Sequence, residues 1–335
     1  MDRFDEFCMQ LALQEAWKHQ LLTYPNPAVG SLVSCEGKIV SIAAHKSAGA
    51  SHAEIVALLE AYEAITGKSV DFDTNNAADA HTFLRRLPKD FFAKCTLYVT
   101  LEPCSHEGKT PSCAALIKDL NLKRVCIATL DPIISHSGGA KLLEDAGIEV
   151  KMGLLEEEAK DLLYPFEVWQ KRAFVLFKLA QTSNAKITGG VISSQTSREH
   201  THELRALCDK LLIGGATVRA DEPLLDSRLV QKAAPDIYIY TKNSDTISKQ
   251  MPLFNVPNRD VELGDDLSFL EKPSFVLVEG GEGMLEALKD KIDFVLFYQA
   301  PNLRAKVHSY ELDMDLKFMH FQRSGQDIAI WSKRV

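Results

Sequence analysis

The first apolar positions of the chain recur at the spacing of a helix. They predict an amphipathic helix over residues 4–22, with its apolar face formed by Phe4, Phe7, Cys8, Leu11 and Leu13. The prolines in the run Tyr24 to Pro27 end this pattern. Residues 29–33 and 38–43 then predict two strands, and Glu36-Gly37 between them predicts the turn of a hairpin.

Helical and strand-like segments alternate along the rest of the chain. Ser51 with Glu54 three residues later is a capping-box pattern, so a helix is expected to begin at Ser51. The β-branched and aromatic residues over 96–101 predict a strand. Further expected elements are helices at 114–120, 140–146 and 154–160 and strands at 124–129, 173–178, 210–214, 237–240, 275–278 and 294–298. This alternation indicates an α/β layer structure.

The length of the chain, 335 residues, favours two domains. We expect a first domain over 1–152, a connecting helix over 153–172 and a second domain over 173–335. Residues 64–94 are the irregular part of the first domain, with a loop at 71–76 and a possible short helix at 77–87. We interpret 64–94 as a surface insertion.

The composition and charge of the chain argue against several classes of function. The formal net charge of −8 argues against a broad nucleic-acid-binding surface. No apolar run reaches the length of a membrane span, and the first residues lack the pattern of a secretory signal. The count of seven cysteines is odd, which favours a reducing compartment with thiols available for metal. We therefore expect a cytoplasmic protein with neither nucleic acid nor membrane as a partner.

The most specific chemical pattern is His52-Ala53-Glu54, followed by Pro103-Cys104 and then Cys113. One imidazole and two thiolates occupy three corners of a tetrahedral zinc site and leave the fourth corner for water. Glu54 is placed to move a proton of that water, as in the zinc deaminases. A structural zinc site or no metal at all are the alternatives, but a structural site usually has four protein ligands in close pairs.

The remaining cysteines are expected to be buried, small apolar residues; they are Cys8, Cys35, Cys95, Cys126 and Cys208. Cys95 is the nearest competitor as a metal ligand. It precedes the strand at 96–101 and lacks the preceding proline that marks Cys104.

The segment Thr100 to Cys113 reads Thr-Leu-Glu-Pro-Cys-Ser-His-Glu-Gly-Lys-Thr-Pro-Ser-Cys and resembles the bifunctional riboflavin-biosynthesis deaminase–reductase family. Supporting matches are Pro25 to Gly30, His45 and Asp131-Pro132. The resemblance implies a cytidine-deaminase-like three-layer domain that holds zinc and deaminates a pyrimidine ribosyl phosphate, with Glu54 carrying the proton to the departing ammonia.

The resemblance also implies a set of substrate-binding residues in the deaminase domain, namely Asn26, His45, His106 and Lys109. Taken alone, Asn26 or His45 could equally be a turn or capping residue, and Lys109 could be a solvated lysine. The loop between Cys104 and Cys113 places His106 and Lys109 close to any metal that both thiolates bind.

For the second half, the resemblance implies a dihydrofolate-reductase-like domain that binds NADPH. Matching positions that would contact its substrate or cofactor are Lys178, Thr182, Arg205, Thr217, Asp221, Leu224, Arg228, Glu279, Gly280 and Gly281. The Gly280-Gly281 pair after a strand permits close backbone approach to a pyrophosphate, although a plain tight turn is the default interpretation.

The second half also departs from the family. The usual Ser-Leu-Asp-Gly step is here Thr182-Ser183-Asn184-Ala185. A monofunctional deaminase with an inactive, reductase-like scaffold is therefore one alternative, and a nucleic-acid base deaminase is another. The expected function is nevertheless two consecutive steps of riboflavin biosynthesis by a homo-oligomer: deamination, then NADPH-dependent reduction of the ribosyl group to ribityl.

Overall fold

A computed structural model describes residues 2–106, 111–133, 135, 137–305 and 307–335. The chain divides into two compact units, Met1–Glu167 and Val168–Val335. The boundary falls inside a helix, α6 (Glu156–Trp169), which lies within the segment predicted as a connecting helix. Among the described residues, no helix combines the length and the apolar character that a membrane crossing requires.

The first unit is built on a five-stranded sheet with the strand order β2-β1-β3-β4-β5. β1 pairs antiparallel with β2 and β3, whereas β3, β4 and β5 are parallel. All of β3 is buried, as expected for a central strand that is covered on both faces. The elements are α1 (Arg3–Trp17), β1 (Gly30–Cys35), β2 (Lys38–Ala44), α2 (Ala53–Thr66), α3 (Ala77–Arg85), β3 (Cys95–Leu101), α4 (Cys113–Asp119), β4 (Arg124–Thr129), α5 (Gly139–Asp145) and β5 (Glu149–Met152).

The predicted hairpin is present, but two predicted helix boundaries are wrong. α1 ends at Trp17 and turns follow it, so the helix is shorter than the apolar pattern over 4–22 suggested. α2 is capped by His52 rather than by Ser51, and no side chain caps it. The capping box does not form because the backbone N–H of Ser51 donates instead to the carbonyl oxygen of Asn75, at 3.0 Å.

The segment 64–94, interpreted from the sequence as a surface insertion, packs in part into the core of the first unit. Its helix α3 is capped by the side chain of Asn76, which accepts from two backbone N–H groups. Ala80 and Leu84 of α3 and Phe92 after it are completely buried in the main core of the unit. The segment therefore contributes to the core of the first unit, although its polar loop at 71–76 had suggested that it is exposed.

The five cysteines outside the predicted metal site were expected to be buried, small apolar residues, and this expectation is corrected for two of them. Cys35 and Cys95 lie directly opposite each other on β1 and β3 and form a disulfide bond. Cys8, Cys126 and Cys208 are buried free thiols, as expected. Local sequence gave no sign of the disulfide, because the two residues meet only through strand pairing.

The second unit is built on an eight-stranded sheet with the strand order β12-β13-β11-β6-β10-β7-β8-β9. Six neighbouring strands, from β11 to β9 in that order, are parallel, and β13 and β12 add an antiparallel hairpin. The elements are β6 (Ala173–Thr182), α7 (Gln195–Leu207), β7 (Lys210–Gly214), α8 (Gly215–Asp221), β8 (Ile237–Tyr240), β9 (Val261–Gly264), β10 (Ser274–Glu279), α9 (Glu282–Leu288), β11 (Phe294–Ala300), β12 (Leu316–Ser324) and β13 (Asp327–Arg334). The predicted α/β class is confirmed.

Candidate metal centre and reductase site

The three predicted metal ligands meet at one point in the first unit. His52 is the cap residue of α2, Cys104 follows β3, and Cys113 is the first residue of α4. His52 Nδ1 lies 3.2 Å from Cys113 Sγ and 3.8 Å from Cys104 Sγ. Three elements distant in sequence thus converge with their donor atoms within 4.8 Å of one another.

These distances suit a zinc ion. With zinc–ligand bonds of about 2.0–2.3 Å, a tetrahedral site places its ligand atoms roughly 3.3–3.8 Å apart. The distances from His52 Nδ1 to the two sulfur atoms, 3.2 and 3.8 Å, agree with this range. One imidazole and two thiolates therefore form a fitting three-ligand set that leaves a fourth position for a water or substrate.

The electrostatics of the cysteine pair favour one thiolate before metal binds. The pKa of Cys104 falls to about 4 because the Cys113 thiol and His52 hydrogen-bond to its sulfur, which outweighs the effect of burial. The backbone N–H of Cys113 also donates to Cys104 Sγ, at 3.4 Å. The pKa of Cys113 is raised by its hydrogen bond to Cys104 and by burial. A thiolate is thus prepared at the position that a cation would neutralise.

Glu54 lies in the first turn of α2, beside the cap residue His52. Its side chain is buried, and burial raises the pKa of its carboxyl group. Because a carboxyl group with a raised pKa accepts a proton more readily than an ordinary glutamate, Glu54 is suited to a proton-shuttle role.

A cleft of about 500 Å³ opens onto this cluster. Three of the predicted substrate-binding residues line it together with His52, Glu54 and Cys104; they are Asn26, His45 and His106. The fourth, Lys109, lies outside the described residues. The structure thus brings together every predicted deaminase residue that it describes.

A chain of hydrogen bonds fixes the imidazole of His45. The carbonyl oxygen of Ser51 can only accept, so His45 donates to it through Nδ1, at 3.1 Å. Nε2 then accepts from the side-chain amide of Asn26, also at 3.1 Å. Burial lowers the pKa of His45 to about 4, which keeps the ring neutral. The Asn26 amide and the His45 ring are therefore held in defined orientations at the cleft wall.

Two further wall residues were not assigned a role from the sequence. Glu102 is buried, and its carboxylate accepts from the backbone N–H groups of Asp131, Gly138 and Ala140. These three hydrogen bonds hold the loop after β4 in place. In the sequence, only the position of Glu102 next to Pro103 could have indicated this role. Phe166 of α6 also lines the cleft, and no local pattern marked it.

In the second unit, three of the predicted reductase residues form a group of ion pairs, the ion triad: Lys178 and Arg205 both pair with Glu279. Glu279 at the end of β10 lies directly opposite Lys178 of the parallel strand β6. Lys178 Nζ is 2.8 Å from Glu279 Oε2, and Arg205 of α7 donates to both carboxylate oxygens, at 2.6 and 3.0 Å. Burial raises the pKa of Glu279, but the two cations outweigh it and hold that pKa well below its ordinary value.

Two glycine turns meet beside this triad, because β7 and β10 are paired parallel strands. A Cβ atom at Gly214 or at Gly280 would lie 2.8 Å from the side chain of Met284, so a larger residue at either position would have to displace Met284. Thr217 Oγ1 lies within 4.0 Å of both of these Cβ positions. Gly281 caps α9, whose first backbone N–H groups have no partner within the helix.

The other predicted reductase residues are more scattered. Asp221, Leu224 and Arg228 are exposed at the end of α8 and in the segment after it. Thr182 is buried and its hydroxyl donates to the side-chain carbonyl of Asn184, at 2.7 Å. Asn184 in turn exchanges two hydrogen bonds with the backbone of Arg304. Asn184 therefore has a structural role that does not require the acidic residue of the family.

Comparison with known proteins gives two family matches along the chain. Residues 2–129 match the cytidine and deoxycytidylate deaminase zinc-binding region, and residues 177–330 match the RibD C-terminal domain. The chain is 35% identical over 329 residues to the riboflavin biosynthesis protein RibD of Aquifex aeolicus, an alignment that covers 96% of this chain and 80% of that protein. It is 36% identical to RibD of Bacillus amyloliquefaciens over 67% of this chain and 56% of that protein.

A solved structure extends the likeness to the fold. A diaminohydroxyphosphoribosylaminopyrimidine deaminase/5-amino-6-(5-phosphoribosylamino)uracil reductase from Thermotoga maritima is 27% identical, with a TM-score of 0.68 over 99% of both chains. The pairing of a deaminase match with a RibD reductase match does not favour a monofunctional deaminase or a nucleic-acid base deaminase. The chain belongs to the RibD family of riboflavin biosynthesis proteins, enzymes in which a zinc-binding deaminase domain is followed by a reductase domain.

Proposed function

We propose that the first domain deaminates a diaminopyrimidine that carries a phosphoribosylamino group, and that the second domain reduces the ribosyl group of the product to ribityl. The observation that carries the first step is the convergence of His52, Cys104 and Cys113 with Glu54 at one cleft. The reaction named for the Thermotoga maritima relative, of which the chain covers 99%, supports the choice of substrate.

Deamination replaces the amino group of a pyrimidine carbon by oxygen from water and releases ammonia. Zinc, when bound by the three ligands, supplies Lewis acidity at its open position. Glu54 takes a proton from the attacking water and delivers it to the departing nitrogen. Asn26 and His45 orient the ring and the attached sugar from the cleft wall, and His106 and Lys109 provide donors for the phosphate.

Reduction of ribosyl to ribityl adds one hydride and one proton to the sugar. NADPH, when bound, supplies the hydride. The ion triad of Lys178, Arg205 and Glu279 provides a fixed ammonium group that can orient the sugar and donate a proton to its oxygen. The glycine turns at Gly214 and Gly280-Gly281, together with Thr217, offer backbone N–H groups and a hydroxyl for the cofactor phosphates.

The test is product analysis by mass spectrometry after incubation with the diaminopyrimidine ribosyl phosphate, with and without NADPH. Without NADPH we expect the deaminated product alone, and with NADPH a product that has also gained two hydrogens. Two matched variants separate the domains: Glu54→Gln should block the first conversion, and Glu279→Gln should block only the second. Unchanged substrate with the wild-type enzyme would contradict the proposal.

A further inference from the structure

The ion triad points to one face of the second sheet, and helix α9 covers the other face. Successive side chains of a strand point to opposite faces of its sheet. Val276 and Val278 of β10 pack in one core with Met284 of α9. Glu279, the next residue of β10, therefore points to the opposite face, where Arg205 of α7 reaches it. We call this the α7 face.

A segment on the α7 face carries Arg228, one of the predicted reductase residues. It forms a 3₁₀ turn, Arg228–Val230, that packs against α7. The side chain of Arg228 is 58% exposed, and its Nη1 donates to the carboxylate of Asp226, at 2.6 Å. A guanidinium has further N–H donors in a planar fork, so this side chain can also bind an anion such as a phosphate.

Two side chains of α7, one helical turn apart, hold this segment. Arg205 Nη1 donates to the carbonyl oxygen of Asp226, at 3.1 Å, while its other N–H groups bind the carboxylate of the ion triad. His202 Nδ1 accepts the backbone N–H of Leu229, at 3.3 Å. The two bonds lie on either side of Arg228 in the chain. The position of Arg228 is therefore set by the same helix that contributes a member of the ion triad.

The bond to Leu229 fixes the protonation of His202. A backbone N–H can only donate, so Nδ1 is the unprotonated nitrogen and Nε2 carries the proton. The ring is buried, and burial lowers the pKa of His202 to about 4, so the ring is neutral. Nε2 lies 3.5 Å from Arg205 Nη1, and because both atoms carry protons this is a packing contact. The hold of His202 on the segment therefore depends on one acceptor atom, Nδ1.

The other anchors of the segment lie before the turn. Arg259 donates to backbone carbonyl groups at 224–225, at the start of the segment. Ser227 is completely buried, but its hydroxyl has no hydrogen-bond partner among the described residues. Loss of the acceptor on His202 would therefore release the turn at 228–230 while the start of the segment stays in place.

We propose that His202 is a positioning residue for reduction: it holds Arg228 on the α7 face, where the guanidinium binds the phosphate of the substrate. The ion triad orients the sugar on this face, and the sugar carries the phosphate, whereas the glycine turns lie against Met284 of α9. A guanidinium held in place binds a phosphate more tightly than a mobile one, because less conformational freedom is lost. The proposal rests on the proposed function, in which this sugar is the group that is reduced.

The experiment measures reduction by the full-length protein with NADPH and the deaminated pyrimidine, supplied with and without its phosphate. His202→Gln places its amide near the position of Nε2 and leaves Nδ1 without a replacement. KM for the phosphorylated substrate should rise about 10-fold, as expected when one hydrogen bond to a charged group is weakened. KM for the dephosphorylated substrate, KM for NADPH and kcat should stay near their wild-type values. His202→Asn, whose Oδ1 replaces Nδ1, should restore KM.

Two further variants separate positioning from general stability. Thr201→Val removes a buried hydroxyl that bonds within α7 and is the matched control, with unchanged KM values. Arg228→Ala should lose the preference for the phosphorylated substrate, and adding His202→Gln to it should raise KM no further. An equal rise of KM for both substrates in His202→Gln, or a further rise in the double variant, would overturn the inference.

Hydrogen exchange over residues 222–232 with ribose 5-phosphate as the probe gives a readout that does not depend on turnover. The probe should slow exchange in the wild type and in His202→Asn but not in His202→Gln or Arg228→Ala. His202→Phe, which has a ring without an acceptor, replaces His202→Gln if the latter does not fold. Equal protection in the wild type and in His202→Gln would overturn the inference. A wild type that shows the expected exchange pattern but reduces neither substrate would overturn only the proposed reduction.

Discussion

His52 Nδ1 lies 3.2 Å from Cys113 Sγ, although 61 positions separate the two residues in the chain. The contact exists because the first turns of α2 and α4 meet beyond the end of β3. Cys104, which follows β3, completes the set. The metal chemistry of the protein therefore depends on three backbone segments that the sheet brings together.

Glu54→Gln should abolish deamination and leave zinc content unchanged. The amide has nearly the same shape as the carboxylate but cannot accept and return a proton, so a rate loss of at least about 10²–10⁴-fold is expected. Metal analysis and single-turnover assays on the same preparation check both parts. Deamination at the wild-type rate would remove Glu54 from the proposed mechanism.

Cys113→Ser should lose zinc and destabilise the first unit. Metal binding contributes to folding where the ligands come from separate elements, as they do here. Thermal unfolding of the wild type with and without a chelator should show the same loss of stability, and the chelator should have little further effect on the variant. Undiminished zinc affinity in Cys113→Ser would exclude this residue as a ligand.

Ala185→Gly should stabilise the second unit slightly. Ala185 has a φ angle of 57°, in the left-handed region. A left-handed conformation costs an alanine about 1–2 kcal/mol, and glycine avoids this at an entropic cost of roughly 0.5–1 kcal/mol. Chemical denaturation measures the net gain, expected at about 0.5 kcal/mol. Ala180→Gly within β6 is the control and should destabilise the unit.

Glu279→Gln should destabilise the second unit near neutral pH and progressively less in acid. The carboxylate pairs with Lys178 and Arg205, and removing it leaves two cations without their partner, a loss of about 3–5 kcal/mol for a buried pair. The folded-state pKa of Glu279 lies below its ordinary value of 4.5. Its contribution to stability is therefore complete above pH 4.5 and is lost as the pH falls toward the folded-state pKa.

The measurement is the difference in unfolding free energy between the wild type and Glu279→Gln across a pH series. This difference should be constant above pH 4.5 and narrow below it. A difference that does not depend on pH would show that Glu279 contributes through shape rather than through charge.

The sequence predicted correctly those features that depend on neighbouring residues or on ligand chemistry. The hairpin turn at Glu36-Gly37 and the strand Arg124–Thr129 follow from local residues alone, and both are present. The cysteine and histidine pattern likewise named a set of residues that meet in space. In each case the evidence lay within a few neighbouring positions or in the ligand chemistry itself.

The features that the sequence did not predict depend on contacts between residues that are distant in the chain. Ser51 has the pattern of a helix cap, but the carbonyl of Asn75 takes its N–H group. The polar loop at 71–76 suggested a surface insertion, while three residues of the segment fill the core. The expected reductase residues Asp221 and Leu224 are exposed, and their roles, which the resemblance to the family implied, stay predictions.

X-ray absorption at the zinc edge of the purified protein tests the central claim most directly. The account predicts two sulfur ligands at about 2.3 Å, with one imidazole nitrogen and one further light atom at about 2.0–2.1 Å. Cys104→Ser removes one of the two thiolates and should lose zinc, as Cys113→Ser should. A shell of four sulfurs, or a shell of nitrogen and oxygen without sulfur, would contradict a three-ligand catalytic site at His52, Cys104 and Cys113.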